Sequence, residues 1–283
     1  MIGKIIKLTG GFYYIESQNK IYTSRARGLF RHKDQSPLVG DNVEFSEGED
    51  LGYIEKILPR KNILKRPAVA NVDQVLLMLS LKNPNYNLQL TDHMLALYEG
   101  QNVKIIMCLN KYDLDPKAGD ELKEIYKNVV DKVIITSLKN DYGLDDVREL
   151  LKGKLTALCG VSGAGKSTLA SKILNKNLEM GSVSNKTSRG KHTTRHVELH
   201  YCDDIYIFDT PGFSSIDIMD IEKENLSHHF REFNKFLPCK FNDCRHINEP
   251  GCKIKEALAN NQIAKSRYDS YLSAYKEIEN KKR

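Results

Sequence analysis

Gly160-Val161-Ser162-Gly163-Ala164-Gly165-Lys166-Ser167 fits G-x-x-x-x-G-K-[ST], a spacing suited to holding a nucleotide's phosphates. The glycines let backbone N–H groups turn toward phosphate oxygens, and a helix opening at Thr168-Leu169-Ala170 adds its positive N-terminal end. Lys166 is expected on the β- and γ-phosphates and the Ser167 hydroxyl on Mg²⁺. Three further segments follow apolar runs and can complete such a site. In Asn110-Lys111-Tyr112-Asp113, the Asp113 carboxylate can accept two hydrogen bonds from guanine, Asn110 can bond the other edge of the base, and the Lys111 stem can cover its face. Thr136-Ser137-Leu138-Lys139 can offer backbone donors to the guanine carbonyl. In Asp209-Thr210-Pro211-Gly212, Asp209 can hold Mg²⁺ directly or through water and the Gly212 N–H can touch a γ-phosphate.

A second chemistry is written in Cys239, Cys244, His246 and Cys252, three thiolates and one imidazole within fourteen residues. This Cys₃His set suits one tetrahedral Zn²⁺ with no position left for a reacting ligand, hence a structural metal. Disulfide pairing would leave one cysteine over. Cys108, Cys159 and Cys202 lie in or beside apolar runs and are expected to be buried and inert.

The elements that must position these residues follow from hydrophobic pattern. Residues 1–66 alternate short β-like runs, among them Ile5–Leu8, Phe12–Ile15, Lys20–Thr23, Asn42–Phe45 and Gly52–Ile57, with glycine turns, which predicts a small barrel. From Val72 onward, continuous apolar strands at Val75–Leu79, Val103–Leu109, Val133–Thr136, Leu155–Cys159 and Ile205–Phe208 predict a largely parallel, doubly covered sheet. Helices are expected at Gly119–Val130 and Lys166–Leu174 within it, and at Ile254–Asn261 and Ile263–Asn280 beyond it. The expected domains are 1–66, 67–216 and 217–283.

The 283 residues carry a net charge of +6. Residues 1–66 have 12 Lys/Arg against 8 Asp/Glu, 67–216 have 18 against 18, and 217–283 have 13 against 11. Basic ends around a neutral centre fit a polyanion-binding protein with a separate chemical engine. Arg25, Arg27, Arg31, Lys33, Lys61, Lys65 and Arg66 are the candidate phosphate contacts, and Tyr13, Tyr14, Tyr22 and Tyr53 can stack on bases or fill the barrel. With 40% hydrophobic and 28% charged residues, the composition argues against a disordered chain. No apolar run reaches membrane-spanning length and lysines interrupt the start too early for a signal peptide, so a soluble cytoplasmic protein is expected.

The order of the motifs is unusual: base-reading loops at 110–113 and 136–139 precede the phosphate loop, and Asp209–Gly212 comes last. That is the order of a circularly permuted GTPase. Together with the zinc spacing and Arg189-Gly190-Lys191-His192-Thr193-Thr194, it makes the whole chain resemble the small-ribosomal-subunit-dependent GTPases of the RsgA (YjeQ/YloQ) family. The resemblance implies a multidomain α/β protein: an N-terminal OB-fold β-barrel, a central circularly permuted P-loop GTPase with a mainly parallel sheet, and a C-terminal helical zinc-binding domain. It implies GTP hydrolysis stimulated by the ribosome during late maturation of the small subunit, with that subunit and its rRNA as partners. It also assigns a water-orienting role to His192 and places Thr194, or else Thr193, on Mg²⁺. Guanosine tetraphosphate is a further candidate ligand, and a monomer is expected because one chain holds every motif. Phe213 occupies the position where Ras-type enzymes carry a water-positioning glutamine. It keeps open a passive GTP-dependent RNA-binding module; a P-loop metabolic kinase is the other alternative.

Overall fold

The computed structural model describes residues 1–28, 30, 36–48, 51–174, 197–209, 218 and 221–281. It divides into two compact units, Met1–Val75 with Leu144–Cys159 and Lys166–Gly212, and Leu76–Gly143 with Gly160–Gly165 and Phe213–Arg283.

In the first unit, β1 (Ile2–Thr9), β2 (Phe12–Ser17), β3 (Lys20–Ala26), β4 (Asn42–Ser46) and β5 (Gly52–Ile57) form the predicted barrel. β1 pairs with β2, β2 with β3, β3 in parallel with β5, β5 with β4, and β4 returns to β1, so the sheet closes on itself. Positive φ at both Gly10 (58°) and Gly11 (80°) supplies the tight β1–β2 turn, a conformation open to glycine. Ile5, Ile15, Val43, Phe45 and Ile54 fill the interior, none more than 1% exposed. Closure removes sheet edges that would otherwise be open to pairing.

A short hairpin, β6 (Ile63–Leu64) with β7 (Val69–Ala70), follows. The next strand, β8 (Gln74–Ser80), is buried along its whole length. In the second unit the strand order is β8, β9 (Lys104–Asn110), β10 (Lys132–Ile135), with β9 and β10 parallel. Helices α1 (Leu88–Glu99) and α2 (Pro116–Tyr126) belong here. Asn87 caps α1 by accepting from the Leu90 N–H at 3.0 Å. Asp115 caps α2 by accepting from the Ala118 N–H at 3.1 Å, with Pro116 in the first turn. That cap is why α2 starts three residues before the expected Gly119–Val130 span; Val129 and Val130 lie past its end, buried in the turn before β10.

The first unit also holds α3 (Leu144–Leu151), β11 (Leu155–Cys159), α4 (Lys166–Leu174), β12 (Glu198–Cys202) and β13 (Ile205–Asp209). β11 and β13 are parallel, whereas β12 runs antiparallel to β13 and lies outside the predicted strands. Its pattern alternates and is half-exposed, so it lacks the continuous apolar signature of its neighbours. Cys108 and Cys159 are buried as expected, but Cys202 is only half-buried at the end of this partly exposed strand.

The C-terminal region comprises 3₁₀ stretches at Lys223–His229 and Arg231–Lys235, then α5 (Lys253–Ala259) and α6 (Lys265–Lys281). Phe230, Phe233, Ile254, Tyr271, Ala274 and Ile278 form its core and include Ala96 of α1 in the same cluster.

Candidate nucleotide and metal sites

The phosphate loop sits between β11 and α4, the strand-to-helix turn its sequence requires. Gly160, Gly163 and Gly165 all have positive φ, at 129°, 78° and 107°. Gly165 is doubly constrained, because a Cβ there would lie 2.3 Å from the Asn110 side-chain nitrogen.

That close approach reflects the central bond of the site. Asn110 ends β9 at 2% exposure, and its Nδ2 donates to the Ala164 carbonyl at 2.9 Å. Its Oδ1 accepts from Thr136 Oγ1 at 3.2 Å and, at a long 3.3 Å, from the Leu138 N–H. This amide thus has three protein partners across both base-reading loops and the phosphate loop.

Lys111 is left-handed at φ 65°, and its Nζ donates to the Gly163 carbonyl at 3.0 Å and also to the Asn83 carbonyl. Burial holds its ammonium below the usual lysine range, with Asp113 opposing that shift. A Cβ on Gly163 would meet Pro84 Cδ at 3.1 Å. The Asn83-Pro84 turn thus borders the phosphate loop, a contact the sequence reading missed although Asn-Pro is itself a turn signal.

Asp113 is exposed, and Ser137 Oγ donates to its Oδ1 at 2.5 Å, fixing the carboxylate's orientation. An oriented, solvent-facing carboxylate can accept paired N–H donors from a planar ligand. Tyr112 stacks on Tyr142 at 6.0 Å, and its hydroxyl donates to Asp120 at 3.1 Å. Leu138 is buried and Lys139 exposed. Val161 is half-buried, Ser162 exposed and Ala164 buried. In the first turn of α4, Lys166 is 9% exposed, Ser167 half-buried and Thr168 exposed. Asp209 is the last residue of β13, its backbone opposite Glu198. Its side chain, Gly212, Phe213 and the Arg189–Thr194 stretch with His192, Thr193 and Thr194 lie outside the described residues.

The Cys₃His residues converge: the ligand atoms of Cys239, Cys244, His246 and Cys252 lie within 4.8 Å of one another. Cys239 Sγ and Cys252 Sγ are 3.9 Å apart, and His246 Nδ1 is 3.5 and 3.4 Å from them. Zn–S bonds of about 2.3 Å and a Zn–N bond of about 2.0 Å in a tetrahedron require S···S near ~3.8 Å and S···N near ~3.5 Å. The residues therefore fit zinc, and Nδ1 is the His246 nitrogen turned toward the Cys239 and Cys252 thiols. Glu249 braces the loop by accepting from the Arg245, Ile247 and Asn248 N–H groups at 3.1, 2.9 and 3.1 Å. Tyr268 and Tyr271 donate their hydroxyls to the His246 and Arg245 carbonyls at 2.6 and 2.8 Å. Burial, reinforced by the neighbouring thiols, pushes the Cys244 thiol up to about 12, a cost that a bound cation reverses.

On the barrel, Arg25 lies over the Phe12 ring at 4.6 Å, Arg27 pairs with Glu55 at 3.1 Å, and Lys61 pairs with Asp73 at 2.8 Å. Lys65, Arg66 and Tyr53 are exposed, Tyr13 and Tyr14 are half-buried, and Tyr22 packs on Phe45 at 5.2 Å. Arg31 and Lys33 lie outside the described residues. Among the described residues, no helix is long and apolar enough to cross a membrane.

A phosphate loop tied to an Asn-Lys-x-Asp loop that precedes it in the chain, in a sequence that also builds a closed barrel and a Cys₃His cluster, defines a circularly permuted P-loop GTPase. Residues 57–219 match the family model described as RsgA GTPase, and residues 2–54 match the RsgA N-terminal domain. The chain is 45% identical to the small ribosomal subunit biogenesis GTPase RsgA of Alkaliphilus metalliredigens, covering 99% of both chains. It is also 45% identical to the RsgA of Clostridium kluyveri, covering 100% of both. Among solved structures, YjeQ from Thermotoga maritima superposes with a TM-score of 0.83 at 36% identity, covering 98% of each chain. YloQ, described as a circularly permuted GTPase, gives 0.80 at 34% identity, covering 100% of this chain and 96% of that one. The chain belongs to the RsgA GTPase family, and so to the GTP hydrolases, whose nucleotide is handled with Mg²⁺.

Proposed function

We propose that this protein hydrolyses GTP as an assembly factor of the small ribosomal subunit, with the subunit stimulating turnover late in maturation. The observation that carries the reading is the double tie from Asn110 and Lys111 to Ala164 and Gly163. Base recognition and phosphate binding then share one rigid frame. Asp113, held by Ser137, reads guanine, with the 137–139 loop beside it. Gly160–Thr168 wraps the phosphates, and Lys166 neutralises their charge. Ser167, Thr194 and Asp209 serve Mg²⁺, Gly212 meets the γ-phosphate, and His192 orients the attacking water. Cys239, Cys244, His246 and Cys252 hold one structural zinc.

The three working regions are 1–66, 67–216 and 217–283, the outer two engaging rRNA and the middle one carrying the chemistry. A monomer in the cytoplasm, with GDP and guanosine tetraphosphate as competing guanine ligands, completes the reading. GTP and ATP hydrolysis measured with and without purified small subunits tests it. GTP-selective turnover that rises with subunits supports the proposal, whereas subunit-independent turnover or equal use of ATP overturns it. Phe213 favours one second reading, a passive GTP-dependent RNA-binding module. That reading is supported if subunits bind in a nucleotide-dependent way and turnover stays at background.

A further inference from the structure

Phe241 is a large aromatic left outside every core. It is 41% exposed, and no other phenylalanine among the described residues is an exposed large hydrophobic. It lies in the four-residue loop Lys240–Asp243, both ends of which are ligand positions of the zinc cluster, Cys239 and Cys244. An exposed ring on a chain fixed at both ends loses little further freedom when it is covered, which favours its use in recognition.

The surroundings define what can cover it. The Lys240 ammonium sits 5.6 Å from the centre of the Phe241 ring, a loose cation–π contact at solvent exposure that is weak and easily exchanged. Between residues 235 and 255, Lys235, Lys240, Arg245, Lys253 and Lys255 are all exposed, against Asp243 and Glu249. Glu249 is committed to three backbone N–H groups. A zinc ion with three thiolates adds one negative charge, so the segment keeps a positive excess of two. A stacking ring amid cations, with few acceptors displayed, matches an unpaired base with its flanking phosphates better than an apolar or acidic protein surface.

We propose that the zinc-loop tip is a base-stacking contact for single-stranded RNA, in which a base lies on Phe241 while Lys240 and Arg245 meet its phosphates. The inference rests on the proposed engagement of rRNA and names the chemistry and residues of one contact. When the base arrives, Lys240 leaves the ring for a phosphate, so one cation serves both states.

The chain contains no tryptophan, so Phe241→Trp in the full-length, zinc-loaded protein installs a single reporter at the tip. Titration with a short unstructured RNA is expected to quench its emission saturably, and a blunt RNA duplex of the same length is expected to leave it nearly unchanged. In anisotropy with the same oligonucleotide, Phe241→Leu is expected to weaken binding by about 5- to 100-fold, the worth of one stacked base, with zinc content unchanged. Lys240→Ala should lower the salt slope of binding by about one. RNA that binds without quenching, equal quenching by duplex and single strand, or unchanged affinity in Phe241→Leu overturns the proposal. The functional reading stands or falls separately, on whether small subunits stimulate GTP hydrolysis by the unmodified chain. If they do while the tip ignores RNA, only the stacking contact is wrong.

Discussion

Asn110 shows how one buried amide can join three loops. Its Nδ2 and Oδ1 serve Ala164, Thr136 and Leu138, so replacing it with alanine takes a partner from a carbonyl, a hydroxyl and an amide in a buried place. Asn110→Ala is expected to cost about 1–3 kcal/mol in urea unfolding and to weaken a fluorescent GTP analogue more than the stability loss alone explains. Gly165→Ala should do the same from the other side, since its new methyl would press on the Asn110 nitrogen and φ 107° is strained for any side chain. Retained nucleotide affinity in both variants would refute the shared frame. Cys108 behaves differently. Its thiol is fully buried, and burial pushes it up to about 11 despite the Thr136 hydroxyl 3.3 Å away. A folded-state value above the unfolded one, near 9, means its contribution to stability is intact below pH ~9 and is lost as pH rises toward 11. Denaturant midpoints measured across that window should therefore fall less in Cys108→Ala than in the parent chain.

At the scale of elements, α1 grips the C-terminal region through charge as well as packing. Arg267 of α6, 1% exposed, donates to Asp92 of α1 at 2.7 Å and to both Glu232 oxygens at 2.7 and 3.1 Å. Burial opposes its charge, but the two carboxylates more than offset that and hold the guanidinium ionised. Asp92 also accepts from the Tyr126 hydroxyl of α2 at 2.7 Å, so three helices meet at one carboxylate. Arg231 adds a second clasp, on both Glu99 oxygens at 2.9 Å. Arg267→Met leaves two buried acids uncompensated and is expected to cost about 3–5 kcal/mol; adding Glu232→Gln should recover part of that loss. Equal stabilities for the single and double variants would show that the charges do not act as a unit. The segment from Cys239 to Cys252 carries a cluster that could bind a zinc ion, and so a different source of order. Stripping zinc with a chelator is expected to lower the melting temperature and expose the Cys239, Cys244 and Cys252 thiols to labelling.

Across the whole molecule, charge and chemistry are separated along the chain, with the positive excess in residues 1–66 and 217–283 and none between. On the barrel's share, Arg27 pairs with Glu55 and Lys61 with Asp73, and Arg25, Lys65 and Arg66 are exposed. Attraction to RNA phosphate weakens steeply with salt, whereas a buried nucleotide frame does not. Subunit-stimulated GTP hydrolysis is therefore expected to fall sharply with added salt while unstimulated turnover changes little. Parallel losses of both would argue against docking through the basic ends.

Local chemistry was legible from the residues themselves. The phosphate loop, the Asn-Lys-x-Asp run and the Cys₃His spacing each impose a short-range geometry that few other sequences satisfy, and continuous apolar runs marked the buried strands. Helix α1 and strand β12 escaped notice because each depends on a partner: α1 takes its place from the C-terminal region it grips, and β12 is a half-exposed strand that borrows its pairing from β13. The role of Asn110 beside a base was likewise readable from its loop, but not its protein partners. Only tertiary structure showed it joined to Ala164, fifty-four residues on, because hydrogen-bond partners are chosen by proximity in space and a loop sequence carries no record of what will lie opposite it.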